Sequence, residues 1–213
     1  MKIKHEKKQE IFRVAARLLK EYGYDGTTYQ MIADALGISK SIIAYHFKSK
    51  PLLVSYIFEE YVKEIDAYIK ANITDGFNTY LYYCILHICL YREILKNNRN
   101  KELFFHKDFF KLWLEEKLVT IENYFQDIAD EFNIDLTKDD IRINAVINQG
   151  AKISLFNEYI RNPGFITEHK LCYTIAYMIG ILSRLDESTI LRNLMRANDF
   201  IENHAYPKID MLN

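Results

Sequence analysis

The stretch that decides the fold runs from Thr27 to Leu53 and reads TTYQMIADALGISKSIIAYHFKSKPLL. Its centre is Leu36-Gly37-Ile38. Glycine allows the left-handed backbone of a tight turn, and the isoleucine after it supplies an apolar plug beneath the turn. This pattern predicts a sharp turn between two helices.

The residues on either side of the turn have the properties of helix ends and crossings. Thr27 or Thr28 is predicted to cap the helix before the turn, and Ser39 to cap a short helix after it, from residue 40 to about 46. Ala33 is small enough to lie where two helices cross closely. Together these features predict a helix-turn-helix whose second helix reads DNA. The alternative is a helix-turn-helix fold used only for protein contacts.

Helical periodicity extends over the rest of the chain. Before the stretch, residues 6–22 form a predicted helix that ends at Gly23, and after it a long helix runs from about residue 49 to 72 with Pro51 in its first turn. The remaining predicted helices cover residues 77–95, 101–133 (one helix broken near 105–108, or two), 138–160, 168–185 and 187–204, with a polar loop at 96–100. Thr137, Thr167 and Asp186 are the predicted caps of the last three helices.

The predicted fold class is therefore all-α, with nine or ten helices. A three-helix head with the helix-turn-helix occupies residues 1–48, and a C-terminal helical bundle body occupies residues 49–213. The apolar fraction of 49% is sufficient for a well-filled core, while three prolines and seven glycines are few.

Charge is distributed unevenly along the chain. Residues 1–50 hold ten lysines and arginines against five acids, and the remainder holds eighteen against twenty-four. A basic head on an acidic body can dock on DNA with the head alone. The first ten residues, MKIKHEKKQE, are charged and no apolar segment follows them, so we expect no secretory signal. No apolar run is long enough to span a bilayer, and the three cysteines suggest no disulfide framework, so we expect a cytoplasmic protein without membrane contact.

The head resembles the TetR family of transcriptional regulators. The matching elements, over about residues 10–55, are Thr27-Thr28, Ile32-Ala33, Leu36-Gly37-Ile38-Ser39, Tyr45-His46-Phe47-Lys48, Lys50 and Leu52-Leu53. The resemblance implies a homodimer whose two recognition helices enter successive major grooves of a near-palindromic operator. It also implies two tasks for the body, dimerisation and effector binding.

Site residues follow from the resemblance, position by position. It implies phosphate contacts from Thr28, Tyr45, His46 and Lys50, and base contacts from Lys40, Ser41 and Ile42, with Ser39 at the start of the recognition helix. Two alternatives concern single residues: Thr28 could serve only as a cap, and Tyr45 could belong to the core.

Three positions depart from the usual family pattern. An aromatic residue is common where this chain has Ala44, so one backbone contact is not expected here. A small residue is usual at Ser41, and threonine is common at Ile42. Ile42 has no hydrogen-bonding group and could only contact a thymine methyl.

The implied dimer interface is a four-helix bundle made by residues 138–160 and 168–185 of both subunits. Gly150-Ala151 in the first segment, and Ala176 and Gly180 in the second, are small enough for close helix approach. The alternative is that these faces pack within one subunit.

The body is also crowded with aromatic residues, which suits a lipophilic ligand in a mostly apolar cavity with a few polar groups. The predicted ligand-binding residues are Tyr83, His87, Phe105, Phe109, Trp113, Phe125 and Asn148. The alternative for each of them is ordinary core packing.

Enzymatic and metal chemistry find little support. The chain lacks a phosphate-binding glycine loop, a nucleophile elbow and a His-Glu metal motif. Cys84, His87 and Cys89 cannot all face one metal from one straight helix. We therefore predict no enzyme, no cofactor and no metal.

Two functional hypotheses remain. The first is a ligand-responsive repressor, in which an effector favours a spacing of the two heads that is unsuited to DNA. The second is a DNA-bound adaptor that is regulated by a protein partner and has no small-molecule effector. The adaptor predicts a filled body core and an exposed apolar patch.

Overall fold

Ten α-helices make up the described part of the chain, which in this computed structural model comprises residues 2–73, 76–204 and 211–212. In chain order the helices are α1 (Lys2–Gly26), α2 (Tyr29–Leu36), α3 (Lys40–His46), α4 (Lys50–Ala71), α5 (Thr79–Leu95), α6 (Asn98–Phe105), α7 (Lys107–Phe132), α8 (Lys138–Arg161), α9 (Glu168–Leu182) and α10 (Glu187–Asn203). The described residues include no strand. The all-α class and the helix count are confirmed. Within these ranges, no helix combines the length and apolarity that crossing a bilayer would require.

The helices form two compact units. The first comprises Met1–Glu64, Glu93–Trp113 and Lys208–Asn213, and the second comprises Ile65–Arg92 and Leu114–Pro207. The predicted division between residues 48 and 49 does not coincide with the boundaries of these packing units. As a division between a DNA-binding head and a body it stays a prediction.

The helix-turn-helix forms as its residues predict. Thr28 caps α2, because its hydroxyl oxygen accepts a hydrogen bond from the Met31 N–H at 3.2 Å. Gly37 adopts a left-handed backbone with φ 61°, and the N–H of Ile38 donates to the Ala33 carbonyl across the turn. The inner faces of α1, α2 and α3 share one apolar core, which contains Ile11, Ala15, Ile32, Ala33, Ile43 and Phe47.

Gly23 interrupts the first helix instead of ending it. Its backbone has φ 76° and ψ −178°, and one more helical turn follows up to Gly26. The Thr27 hydroxyl donates to the Gly23 carbonyl at 2.8 Å, which satisfies an oxygen that the interrupted helix leaves without its usual partner.

The loop predicted at residues 96–100 is shorter than expected. The side chain of Asn97 accepts a hydrogen bond from the Asn100 N–H at 2.8 Å, so that α6 begins at Asn98. The predicted break near residues 105–108 is confirmed, because His106 has an extended backbone between α6 and α7. A polar run was misread as a loop because an asparagine cap is itself polar.

The caps predicted in the second unit are all present. Thr137 and Asp140 form a capping box at the start of α8, each side chain accepting from the backbone N–H of the other. The Thr167 hydroxyl accepts from the Lys170 N–H at 3.2 Å, and the Asp186 carboxylate accepts from the Thr189 N–H at 3.0 Å.

The assignment of Ala176 and Gly180 to a dimer interface is wrong. Both residues are buried in α9, and a Cβ added to Gly180 would lie 2.6 Å from the hydroxyl oxygen of Tyr80. The Tyr80 hydroxyl donates to the Ala176 carbonyl at 3.1 Å. These small residues therefore make room for a tyrosine of their own unit. Gly150 differs, since a Cβ there would meet nothing within 4 Å.

Candidate DNA interface and effector site

The recognition helix α3 presents one face outward and one inward. Ile43 and Phe47 are buried in the head core, whereas Lys40, Ser41 and Ile42 are exposed in the first turn. The helix is thereby held rigidly, and its first turn is left to contact a partner. This arrangement suits a helix that enters a major groove with its N-terminal end.

Ser39 occupies the N-cap position, but its hydroxyl makes no capping hydrogen bond. Instead its oxygen lies 2.8 Å from the hydroxyl oxygen of Ser41. The predicted side-chain cap is therefore wrong in this structure. The two hydroxyls form an exposed polar pair at the start of α3, where the helix N–H groups favour negative charge.

The alternative that Tyr45 belongs to the core is excluded by the exposure of its side chain. Its side chain is 68% exposed, so it is not a core residue. The neighbouring His46 is half-buried, and the two rings meet edge to face with their centroids 5.3 Å apart. Ala44 is exposed beside them and offers no polar group. Thr28 is exposed too, and its capping role leaves its hydroxyl hydrogen able to donate to a phosphate.

Lys50 lies at the start of α4 and is half-buried. Its ammonium nitrogen is 4.3 Å from the centre of the Tyr24 ring, a cation–π contact. Burial lowers the pKa of Lys50, while the carboxylates of Asp25 and Asp108 act in the opposite direction. The predicted phosphate ligand is thus positioned by an aromatic ring and acidic neighbours within its own unit.

A set of contacts that sequence reasoning missed connects α6 to the end of α1. The guanidinium of Arg99 donates to the carbonyls of Lys20 at 3.0 Å and Glu21 at 3.3 Å. The carboxylate of Glu102 accepts from the Tyr24 N–H at 3.2 Å. These partners lie some 80 residues apart in the chain, so no local sequence pattern reports them.

The junction between α6 and α7 touches the same region. The His106 ring stacks on the Tyr24 ring with centroids 3.6 Å apart, and its Nε2 lies 3.3 Å from the Asp25 carboxylate. Tyr24 therefore contacts Lys50 and His106, and its backbone contacts Glu102. The Tyr24 ring therefore links Lys50, the predicted phosphate-binding residue, to the junction between α6 and α7.

The seven predicted ligand-binding residues are divided between the two units. Three lie in the first unit, where Phe109 and Trp113 are buried and Phe105 is half-buried. Phe109 stacks on Phe58 at 4.7 Å, and both rings contact Trp113. This packing is also what the core alternative predicts, and the ligand-binding role of these three residues stays a prediction.

The other four candidates lie in the second unit, and all are buried: Tyr83, His87, Phe125 and Asn148. The Tyr83 hydroxyl donates to the Asp127 carboxylate at 2.6 Å. His87 Nδ1 lies 2.8 Å from the Tyr83 carbonyl, which can only accept, so Nδ1 carries the hydrogen. Burial, followed by the charge of Lys152, lowers the pKa of His87 to about 3.

Asn148 and Lys152 are the unusual pair of this unit. Neither polar atom of the Asn148 side chain has a hydrogen-bond partner, although the residue is 0% exposed. Lys152 is 5% exposed, and its burial lowers its pKa to about 7. Sequence reasoning overlooked Lys152. Helical spacing could have found it, because Lys152 shares one face of α8 with the apolar Ile141, Ala145 and Phe156.

Comparison with known proteins agrees with this geometry. Residues 11–57 match the model of a family described as bacterial regulatory proteins, tetR family. The protein named Uncharacterized HTH-type transcriptional regulator YerO, from Bacillus subtilis (strain 168), is 31% identical over 134 residues. The aligned residues are 60% of this chain and 43% of YerO, so the chain spans less than half the length of this relative.

Solved structures share the fold at low sequence identity. The SmeT–triclosan complex has a TM-score of 0.51 at 15% identity, covering 82% of this chain and 90% of the SmeT chain. TylP, a TetR regulator from Streptomyces fradiae, has a TM-score of 0.51 at 14% identity, covering 92% of this chain and 98% of TylP. The matched head leads to one conclusion: residues 11–57 are a helix-turn-helix head of the bacterial regulatory proteins of the tetR family.

Proposed function

We propose that this regulator is a repressor that binds a near-palindromic operator as a homodimer in the cytoplasm and is released from it by a small lipophilic ligand. The observation that supports it most strongly is the division of α3 into a buried face and an exposed first turn that carries Lys40, Ser41 and Ile42. These three exposed side chains can reach base edges in a groove while the opposite face of α3 stays packed in the head core.

The proposed DNA contacts fall into two groups. Thr28, Tyr45, His46 and Lys50 bind phosphates and fix the position of the head, and Lys40, Ser41 and Ile42 contact base edges. Ser39 lies at the helix start, where its hydroxyl and that of Ser41 are bonded to each other, and the hydroxyl that accepts in this pair can donate its own hydrogen to DNA. Ile42 adds apolar contact with a thymine methyl, since its side chain is 37% exposed.

The proposed dimer uses the outward face of α8 with α9. Ile143, Val146 and Ile147 are each about half exposed, and Gly150 follows them on the same face, where an added Cβ would meet nothing within 4 Å. Ile181 on α9 is similarly exposed. Apolar side chains clustered on a helix surface beside a glycine are suited to packing against a second helix. A second copy of the chain would cover this face.

The proposed response to ligand is a population shift. The contacts of Arg99, Glu102 and His106 with the end of α1 make a physical connection between α6 and the head. A ligand that favours another position of α6 or α7 would therefore move the head and the Tyr24–Lys50 pair. SmeT, which shares the fold, forms a complex with triclosan, and this supports a small molecule as effector.

In vitro selection from random double-stranded DNA with the full-length chain tests the proposal. We expect enrichment of two inverted half-sites about 10 base pairs apart, centre to centre. Fluorescence anisotropy should then show that the selected site binds far more tightly than a scrambled duplex. Failure to enrich any sequence would overturn the operator-binding function. Enrichment without release by any small molecule, together with release by a protein partner, would favour the adaptor instead.

A further inference from the structure

The inner face of α8 carries three buried polar side chains, Asn148, Gln149 and Lys152. Asn148 and Lys152 are four residues apart, so they lie one above the other on one side of the helix. Asn148 is fully buried and neither its amide nitrogen nor its oxygen has a hydrogen-bond partner. Within the described residues, no hydrogen bond or ion pair of Lys152 is present. Buried amides and ammonium groups are normally satisfied, so this pair calls for an explanation.

His87 does not supply the missing partner. His87 is close enough for the charge of Lys152 to lower its pKa. However, a neutral imidazole whose Nδ1 donates to the Tyr83 carbonyl offers only the Nε2 lone pair as an acceptor. That lone pair can accept one hydrogen from an ammonium that has three. The positive charge of Lys152 and the amide N–H groups of Asn148 remain unmatched.

The surroundings of this pair are aromatic. The Tyr91 ring meets the Phe156 ring at 5.1 Å, and His87 meets Tyr124 edge to face at 5.5 Å. Burial raises the pKa of Tyr124 to about 12, so it remains neutral near pH 7. The Asp127 carboxylate, which also acts on Tyr124, is already paired with the Tyr83 hydroxyl. The charge of Lys152 on the aromatic inner face of α8 therefore matches a ligand with a single negative charge on an apolar body. A phosphate ester, with about two charges and strong hydration, matches it less well.

We propose that Lys152 and Asn148 bind the carboxylate of a small apolar acid, with the aromatic residues of α5, α7 and α8 enclosing its apolar part. The ammonium forms an ion pair with one carboxylate oxygen, and the amide N–H of Asn148 donates to the other. The acid is the effector of the repressor described above, so the inference rests on that proposed function. It specifies the chemical class of the ligand and two residues that recognise it.

Matched pairs of acids and alcohols provide the test. The full-length protein is titrated by calorimetry and thermal shift with hexanoic, decanoic, tetradecanoic and 4-phenylbutyric acids, and with the alcohol of the same body in each case. We expect at least one acid to bind ten or more times more tightly than its alcohol. Lys152→Met should reduce this preference to about one while the alcohol still binds. Asn148→Leu should weaken the binding of the acid about tenfold.

Lys138→Met serves as the matched control, because it removes the same charge from an exposed position on the same helix. It should leave the acid preference intact. Equal binding of acids and alcohols, survival of the preference in Lys152→Met, or absence of binding by every acid would overturn the inference.

A second measurement separates this inference from the proposed function. Anisotropy on the selected operator is recorded with and without the tightest acid. Release of DNA in the wild type but not in Lys152→Met supports both. Binding of the acid through Lys152 without release leaves the site standing and overturns ligand release. Equal release in both proteins leaves the repressor standing and overturns the role of Lys152.

Discussion

The ammonium of Lys50 lies 4.3 Å from the centre of the Tyr24 ring, and His106 stacks on the same ring at 3.6 Å. Tyr24 is the residue just after the interruption of α1, and Lys50 begins α4. The ring thus contacts both Lys50, a predicted phosphate-binding residue, and His106 at the junction between α6 and α7. An ordered lysine loses less side-chain freedom when it binds a phosphate.

Replacing Lys50 by alanine should weaken binding to every DNA sequence, because a phosphate contact carries no sequence information. The slope of log affinity against log salt should fall in magnitude by about one unit, as expected for one released counterion. Fluorescence anisotropy across a salt series measures both effects. Lys70→Ala is the control: it lies on the same helix, about 30 Å further along at 1.5 Å per residue, and is paired with Asp66. An unchanged slope in Lys50→Ala removes that residue from the interface.

Replacing Lys40 by alanine should change the preferred operator rather than only the affinity. Its side chain is exposed at the first position of α3, and lysine donates to the O6 and N7 acceptors of guanine. In vitro selection with the variant should show a weaker base preference at one position in each half-site, because the lost contact contributes about 1–3 kcal/mol of discrimination against the wrong base. Tyr45→Phe is a useful contrast, since loss of a phosphate contact should preserve the preferred sequence. Identical selected sites for wild type and Lys40→Ala would mean that Lys40 reads no base.

The head was predictable from sequence because its determinants are local. A glycine with a positive φ, a capping threonine and a small residue at the helix crossing act within a few residues of one another, and Gly37, Thr28 and Ala33 behave as predicted. The asparagine that starts α6 is also local, but its polar neighbourhood is compatible with either a loop or a helix end.

Features that depend on distant partners could not be read in the same way. Gly180 is compatible with a dimer contact or an internal one, and only its proximity to Tyr80 decides between them. Lys152 was overlooked because a lysine is normally solvated, and its burial depends on what other helices place around α8. The internal contact of Gly180 and the burial of Lys152 depend on residues far away in the sequence, so the residues around each of them do not predict these features.

Replacing Gly23 by alanine should destabilise the head strongly. Its backbone, with φ 76° and ψ −178°, lies in a region that is almost restricted to glycine, and a Cβ there would overlap the guanidinium of Arg99. We expect a loss of about 1–3 kcal/mol in the free energy of unfolding by urea. Gly37→Ala is the comparison, because it also has a positive φ but has open space around it. A smaller loss at Gly23 than at Gly37 would show that the Arg99 contact yields easily.

If the proposed dimer forms, replacing Val146 by glutamate should convert it to a monomer and abolish tight operator binding. A charge buried in an apolar interface without a partner is strongly unfavourable. Sedimentation velocity at micromolar concentration measures the change in mass. Leu191→Glu introduces the same charge at a similarly exposed position on α10, outside the proposed interface. If Leu191→Glu dissociates the protein and Val146→Glu does not, the interface lies on α10 and the α8–α9 assignment fails.

Replacing Lys152 by methionine should stabilise the protein, and the gain should depend on pH. The pKa of Lys152 has its ordinary value of about 10.4 in an unfolded chain, whereas burial lowers it to about 7 in the folded one. Between these values the unfolded chain binds a proton that the folded chain does not, so the stability of the wild type rises with pH by up to about 1.4 kcal/mol per unit. The gain from methionine should be about 1–4 kcal/mol at pH 7 and should shrink by pH 9.

Urea unfolding at several pH values and one fixed protein concentration measures this gain in stability, with Lys138→Met as the charge control. A gain that stayed constant from pH 7 to pH 9 would mean that Lys152 finds solvent or a partner in the folded protein, and the proposed carboxylate site would lose its main support.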